Sequence, residues 1–96
     1  MIVSFGNTAT EALFHGGPAR AYRRLPPEIL QRALDKLDVL NAARDLRDLR
    51  SPPSNHLEKL RGDLAGTYSI RINAQWRLVF EWRDGEAHQV AIVDYH

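Results

Sequence analysis

The sequence closes on three side chains that handle protons in three different ways: the Asp94 carboxylate, the Tyr95 phenol and the His96 imidazole. Imidazole is the group best tuned to exchange a proton near neutral pH. Upstream, Arg71 and Arg77 stand in stretches that alternate apolar and polar residues. Two guanidinium groups side by side repel unless an anion bridges them, and phosphate is a natural bridge because its oxygens match the planar fork of each arginine. Together these groups suit the cleavage of RNA. An RNA strand carries its own nucleophile, the 2′-hydroxyl. A base must take that proton, an acid must protonate the departing 5′-oxygen, and cations must stabilise the charged phosphorane. The scheme calls for no metal. A blander reading stands beside it: Glu58, Asp63 or Glu81 pairs with each arginine, and an Asp-Tyr-His at a chain end is a frayed terminus.

Other chemistries find little support. The chain has no cysteine, which excludes disulfides, thiol catalysis and cysteine-ligated zinc. His15, His56, His88 and His96 are scattered, and none has the spacing of a helical metal pair, so neither metal nor cofactor is expected. No phosphate-cradling glycine loop or nucleophile elbow occurs. The net charge of +1 hides an uneven distribution. Lys59, Arg61, Arg71 and Arg77 make the middle locally basic, whereas Glu81, Asp84, Glu86 and Asp94 make the last strands acidic. Polyanion binding would therefore rest on a local patch. The run Arg20-Ala21-Tyr22-Arg23-Arg24 reads either as solvated surface or as a contact for phosphates or an acidic partner.

These groups need a scaffold, and 96 residues with 44% hydrophobic and 26% charged content suffice for one domain, 1–96, around one modest core. No apolar run reaches membrane-spanning length and no basic-then-apolar segment opens the sequence, so a cytoplasmic protein without a membrane contact is expected. Residues 2–5 read as a short strand ended by Gly6-Asn7. Thr8, with Glu11 three residues on, suggests a capping box for a helix over 9–14, stopped by Gly16-Gly17-Pro18. Pro26-Pro27 pre-sets a longer helix over 27–41, in which Leu30, Ala33, Leu34, Leu37 and Leu40 form an apolar stripe. Residues 42–50 read as a loop with a possible helical turn, broken by Pro52-Pro53. Residues 56–60 suggest a short extended segment before the turn at Arg61-Gly62-Asp63.

From Thr67 the period becomes two. Tyr68, Ile70 and Ile72 share one parity, Ser69, Arg71 and Asn73 the other. After a turn at Asn73-Ala74, Trp76, Leu78, Phe80 and Trp82 face one way, and Arg77, Val79 and Glu81 the other. Asp84-Gly85 is a hairpin signal, and a strand over 87–93 follows. The order is β-α-α-β-β-β, an α+β fold with two N-terminal helices on the aromatic face of a small antiparallel sheet. Arg71 and Arg77 then lie on adjacent strands, facing away from the helices.

Three stretches carry a resemblance. Asn55-His56-Leu57-Glu58-Lys59-Leu60-Arg61-Gly62-Asp63, then Ser69-Ile70-Arg71-Ile72-Asn73-Ala74-Gln75-Trp76-Arg77-Leu78, and finally Val93-Asp94-Tyr95-His96 resemble the HigB branch of the RelE/ParE toxin superfamily, also called the plasmid-maintenance killer family. The resemblance covers nearly the whole chain and implies the RelE-like fold. It implies a type II toxin that inhibits translation as a ribosome-dependent mRNA endonuclease. It further implies a cognate helix-turn-helix antitoxin, HigA-like, and binding to operator DNA only through that antitoxin. Carried over by position, Asp94, Tyr95 and His96 match the family's catalytic end and Arg77 the arginine after the strand tryptophan. Arg61 matches a basic residue near the site that contacts phosphate, and Lys59 and Arg71 are further substrate-binding candidates of this chain. Two departures accompany the match. The position of an upstream catalytic histidine in some members holds Glu58 here, with His56 two residues earlier as the other candidate. Leu64 stands where many relatives carry a base. Two further readings are a non-enzymatic inhibitor of a protein target, as on the ParE side, and a catalytically weak corepressor.

Overall fold

The computed structural model describes residues 1–62 and 66–94. Two helices, α1 (Thr8–His15) and α2 (Leu30–Ala42), precede a four-stranded antiparallel sheet. Its strands are β1 (Glu58–Lys59), β2 (Thr67–Arg71), β3 (Trp76–Arg83) and β4 (Glu86–Asp94), arranged in that order across the sheet.

Each helix starts where side-chain chemistry allows. Asn7 rather than Thr8 caps α1: its backbone is extended, and its Oδ1 accepts from Thr10 N at 2.9 Å and from Thr10 Oγ1 at 2.7 Å. Asparagine is among the best acceptors at this position, and one oxygen here satisfies two donors. Gly16, at φ 72°, ends the helix in the left-handed conformation that favours glycine. The prolines at 26 and 27 set up a 3₁₀ turn, Pro27–Ile29, that runs into α2, so the helix expected over 27–41 is present with a tighter first turn. Ala33, Leu37 and Leu40 are fully buried, as the apolar spacing implies.

That stripe docks on one face of the sheet, where Ile70, Leu78, Phe80, Val90 and Ile92 have no exposed surface and Trp76 is 8% exposed. Helices and strands share one buried cluster, with Trp82 partly buried at its margin. The aromatic parity of β3 therefore faces the helices, as expected. The β3–β4 hairpin turns at Asp84 and Gly85, with φ 53° and 76°, the paired positive values a two-residue turn requires.

The segment 2–5 departs from expectation. It forms two isolated parallel bridges to β4, Ile2 to Ala87 and Phe5 to Val90, instead of a strand. The cause lies in β4. Val79 pairs with Ala91 and Glu81 with His88, so β4 holds one extra residue there, and Gln89 takes φ 53°. Gln89 N donates to Ser4 Oγ and Gly6 N to Val90 O. A Cβ on Gly6 would lie 2.9 Å from the Gln89 carbonyl, so only glycine permits this approach. One turn further, the outward N–H of Ile92 donates to the buried Thr10 Oγ1 at 2.9 Å, which closes the edge of β4 against α1. Among the described residues, no helix is long and apolar enough to cross a membrane.

Candidate active site

The face of the sheet turned away from α2 carries the candidate chemistry. Arg71 pairs with Arg77, and Arg77 with Val93, so one row crosses β2, β3 and β4. The two arginines are the cross-strand neighbours the sequence implied, yet their guanidinium groups part ways. Arg77 is 8% exposed. Its Nε donates to Ser69 Oγ at 2.9 Å, and its Nη2 to the His56 carbonyl at 2.5 Å and to the Ser69 carbonyl at 3.4 Å. Its Nη1 lies 3.6 Å from Glu58 Oε1. Burying a cation is tolerable only when its donors are met, and here three oxygens and a half-exposed carboxylate meet them.

The His56 carbonyl reaches Arg77 because the chain before it is pinned. A 3₁₀ turn, Pro53–Asn55, leads into His56 at φ 44°. Asn55 is fully buried: its Nδ2 donates to the carbonyls of Leu49 (3.1 Å) and Ser51 (3.2 Å), and its Oδ1 accepts from Lys36 Nζ. Asn55, given no role of its own in the sequence, and Ser69, read there only as a polar strand position, hold the site's architecture. The signal for Ser69 was its parity with Arg71, but its partnership with Arg77 depends on a register no short-range pattern specifies.

Pleating sorts the remaining candidates. Glu58 pairs with Ser69 and so lies on the Arg77 side, while Lys59 pairs with Tyr68 and takes the opposite side. There Lys59 borders a separate hollow of about 400 Å³ with Leu46, Arg50, Leu57 and Tyr68. Lys59 is therefore not brought together with Arg77. Arg61 is exposed just beyond β1. The Arg71 Nε donates to the Asn73 carbonyl at 3.1 Å, and, contrary to the expectation that it faces away from the helices, its side chain at the end of β2 borders a larger cleft that α2 also lines, together with His56. Asp94 is exposed at the end of β4, opposite Trp76, where its Oδ2 accepts from Gln75 Nε2 at 3.1 Å. It follows Val93, the residue in register with Arg77, and takes the parity of Trp76. Tyr95 and His96 lie outside the described residues, as do Asp63 and Leu64. Among the described residues, no three His, Cys, Asp or Glu side chains converge as metal ligands would.

This architecture, two helices on one side of a small antiparallel sheet, is the RelE-like fold. The solved structure of the YoeB–YefM complex from Staphylococcus aureus shares it with a TM-score of 0.62 at 22% identity, over 100% of this chain and 98% of that one. The YoeB dimer from the same organism gives 0.59 at 23% identity, over 100% and 97%. In sequence, the chain is 46% identical over 68 residues to Toxin HigB-1 of Vibrio cholerae serotype O1, covering 71% of this chain and 72% of that protein. It is 30% identical over 96 residues to Endoribonuclease HigB of Proteus vulgaris, with both chains covered in full. The family model for HigB-like toxins, described as the RelE-like toxin of type II toxin-antitoxin system HigB, matches residues 4–96. The chain belongs to this HigB-like toxin family.

Proposed function

We propose that this toxin is an endoribonuclease that cuts mRNA during translation, on the ribosome, by attack of the RNA 2′-hydroxyl and without a metal ion. The observation that carries the reading is Arg77: a cation held in the sheet by Ser69 and the His56 carbonyl, with Glu58 at 3.6 Å. The Proteus vulgaris relative, aligned along its full length, is named an endoribonuclease, which supports the same chemistry.

In this reading Arg77 stabilises the charge that builds on the phosphorane, the role in which one preorganised donor matters most. Its tethers fix the guanidinium, so little reorganisation is needed as charge develops. Proton transfer falls to the Asp94-Tyr95-His96 end, in which Asp94 itself takes the parity of Trp76 and acts from the strand end, with Glu58 beside Arg77 or His56 as a further acid or base. As the 2′-oxygen bonds to phosphorus it loses its proton to the base. The 5′-oxygen leaves with a proton from the acid, giving a cyclic phosphate on one fragment and a 5′-hydroxyl on the other. Arg61 and Arg71 steady neighbouring phosphates, while Lys59, on the opposite side of β1, takes no part at Arg77. The partner that restrains the toxin is a helix-turn-helix, HigA-like antitoxin, and operator DNA is reached through it. Both toxin and ribosome are then cytoplasmic.

The test is a translation extract in which message 5′ ends are mapped and their chemistry determined. Cuts within translated frames, bearing 5′-hydroxyls and lost in His96→Ala, are expected. Intact message, or cuts that His96→Ala and Arg77→Lys leave unchanged, would sink the proposal.

A further inference from the structure

The cleft beside Arg71 is lined from two directions. Arg32 and Lys36 reach it from α2, one turn apart on the same helical face, while Arg71 reaches it from β2 and His56 from the loop before β1. It measures about 550 Å³, within the range that holds a nucleotide-sized ligand. Asp35 stands on the same wall and accepts from Gln31 Nε2 at 3.0 Å.

Each cation in the cleft is steered by a neutral oxygen. Arg32 Nη1 donates to the Ile72 carbonyl at 3.5 Å, Lys36 Nζ to Asn55 Oδ1, and Arg71 Nε to the Asn73 carbonyl. Among the described residues, none of the three forms a salt bridge. Three positive charges thus face one opening, positioned but not neutralised, against the single carboxylate of Asp35. Such an opening attracts a polyanion whose charges repeat along its length. Two residues of the cleft also adjoin Arg77. Arg71 is the cross-strand partner of Arg77, and the His56 carbonyl holds the Arg77 guanidinium.

We propose that this cleft, bounded by Arg32, Lys36 and Arg71, is a second phosphate subsite that grips single-stranded RNA beside the cut phosphodiester. The inference rests on the endoribonuclease reading and extends it to a residue set on α2. Arg32 and Lys36 anchor the strand, and Arg71 stands between the two subsites.

The experiment uses the full chain and an eight-nucleotide single-stranded RNA carrying 2′-O-methyl groups, which cannot be cut by 2′-hydroxyl attack. Binding is followed by fluorescence anisotropy across a potassium chloride series. Arg32→Gln combined with Lys36→Gln is expected to weaken binding about tenfold or more at low salt, and to flatten the dependence of log affinity on log salt by about 1.4, two lost contacts in single-stranded RNA. Arg32→Gln alone, whose one backbone contact is long, gives roughly half of that flattening, and its thermal melt matches the parent's. Unchanged affinity and slope in both variants would overturn the proposal. So would a parent chain that fails to bind the oligonucleotide at low salt, or variants that lose affinity for the purified antitoxin while binding RNA normally, which would make the cleft a protein contact. A parent that binds the oligonucleotide but leaves translated message intact breaks the endoribonuclease reading and not the cleft.

Discussion

The two faces of the sheet solve opposite problems. On the helical side, Ile70, Leu78, Phe80, Val90 and Ile92 are sealed from water by α1, α2 and the segments between the elements, and are themselves all apolar. On the other side, a fully buried Ser69 and a nearly buried Arg77 lie under one crossing segment of chain. The first face is stable because apolar area leaves water, at about 25 cal/mol per Å². The second is stable only because every donor in it finds an acceptor. Among the described residues, no buried side-chain nitrogen or oxygen lacks a hydrogen-bond partner. The first face tolerates changes of shape poorly, whereas the second tolerates loss of a partner poorly.

The largest effect should come from the apolar face. Phe80→Ala removes a ring with no exposed surface and is expected to cost about 3–5 kcal/mol, enough to unfold much of a domain this small. The matched change on the other face, Val79→Ala, removes a half-buried side chain and should cost about 1 kcal/mol. Urea titrations of the two variants measure the ratio. Equal costs would break the distinction between the faces.

Arg77→Met keeps volume but leaves Ser69 Oγ and the His56 carbonyl without their donor, and Glu58 without its cation. Stability should fall by about 1–3 kcal/mol. Cleavage should fall by about 10² to 10³, the usual loss for one charge-stabilising donor. Arg77→Lys retains charge without the planar fork and should recover stability better than activity. Comparing melts with message cleavage for the pair separates the two roles, and parallel losses in both would mark Arg77 as a purely structural cation.

Much of this contrast was legible in the sequence. The period of two in β2 and β3 assigned the faces, the leucine spacing assigned α2, and Asp84-Gly85 assigned the hairpin, because each depends on residues within a few positions of one another. What escaped needed long-range register. That Ser69 and Glu58 would both meet Arg77, and that Lys59 would turn away, follows from the pairing of β1 with β2, a contact of two residues that no local pattern marks. The alternative in which Glu58 takes one of the arginines is realised, for Arg77, without excluding a phosphate there. The extra residue at Gln89, which turns the segment 2–5 from a strand into two bridges, has no glycine or asparagine to announce it. Arg32 and Lys36 fall off the apolar stripe of their helix, and only the tertiary fold brings Pro53–Asn55 and the β2–β3 turn up against them.

A third setting sharpens the comparison, because there a charge is held by similar bonds at the exposed surface. Asp45 caps the 3₁₀ turn Leu46–Arg50: its Oδ1 accepts from Arg47 N at 2.8 Å and from Arg47 Nε at 3.2 Å. The Arg47 backbone N–H, then the guanidinium of the same residue, hold the Asp45 carboxyl below its ordinary value of 3.8. A carboxylate with a depressed folded pKa contributes stability that is present above the unfolded value and lost as pH falls through the folded one. Asp45→Asn keeps a capping oxygen but removes the charge. Its melting temperature should therefore sit slightly below the parent's at pH 7, and the gap should narrow as pH drops below about 3.8. Added salt should narrow it too, because an exposed charge is screened. The gap should be far smaller than that of Arg77→Met at every pH, since water competes for every bond Asp45 makes. A pH-independent difference would mean that the oxygen, not the charge, does the capping, and a difference rivalling that of Arg77→Met would mean that burial is not what makes the sheet's polar face so sensitive.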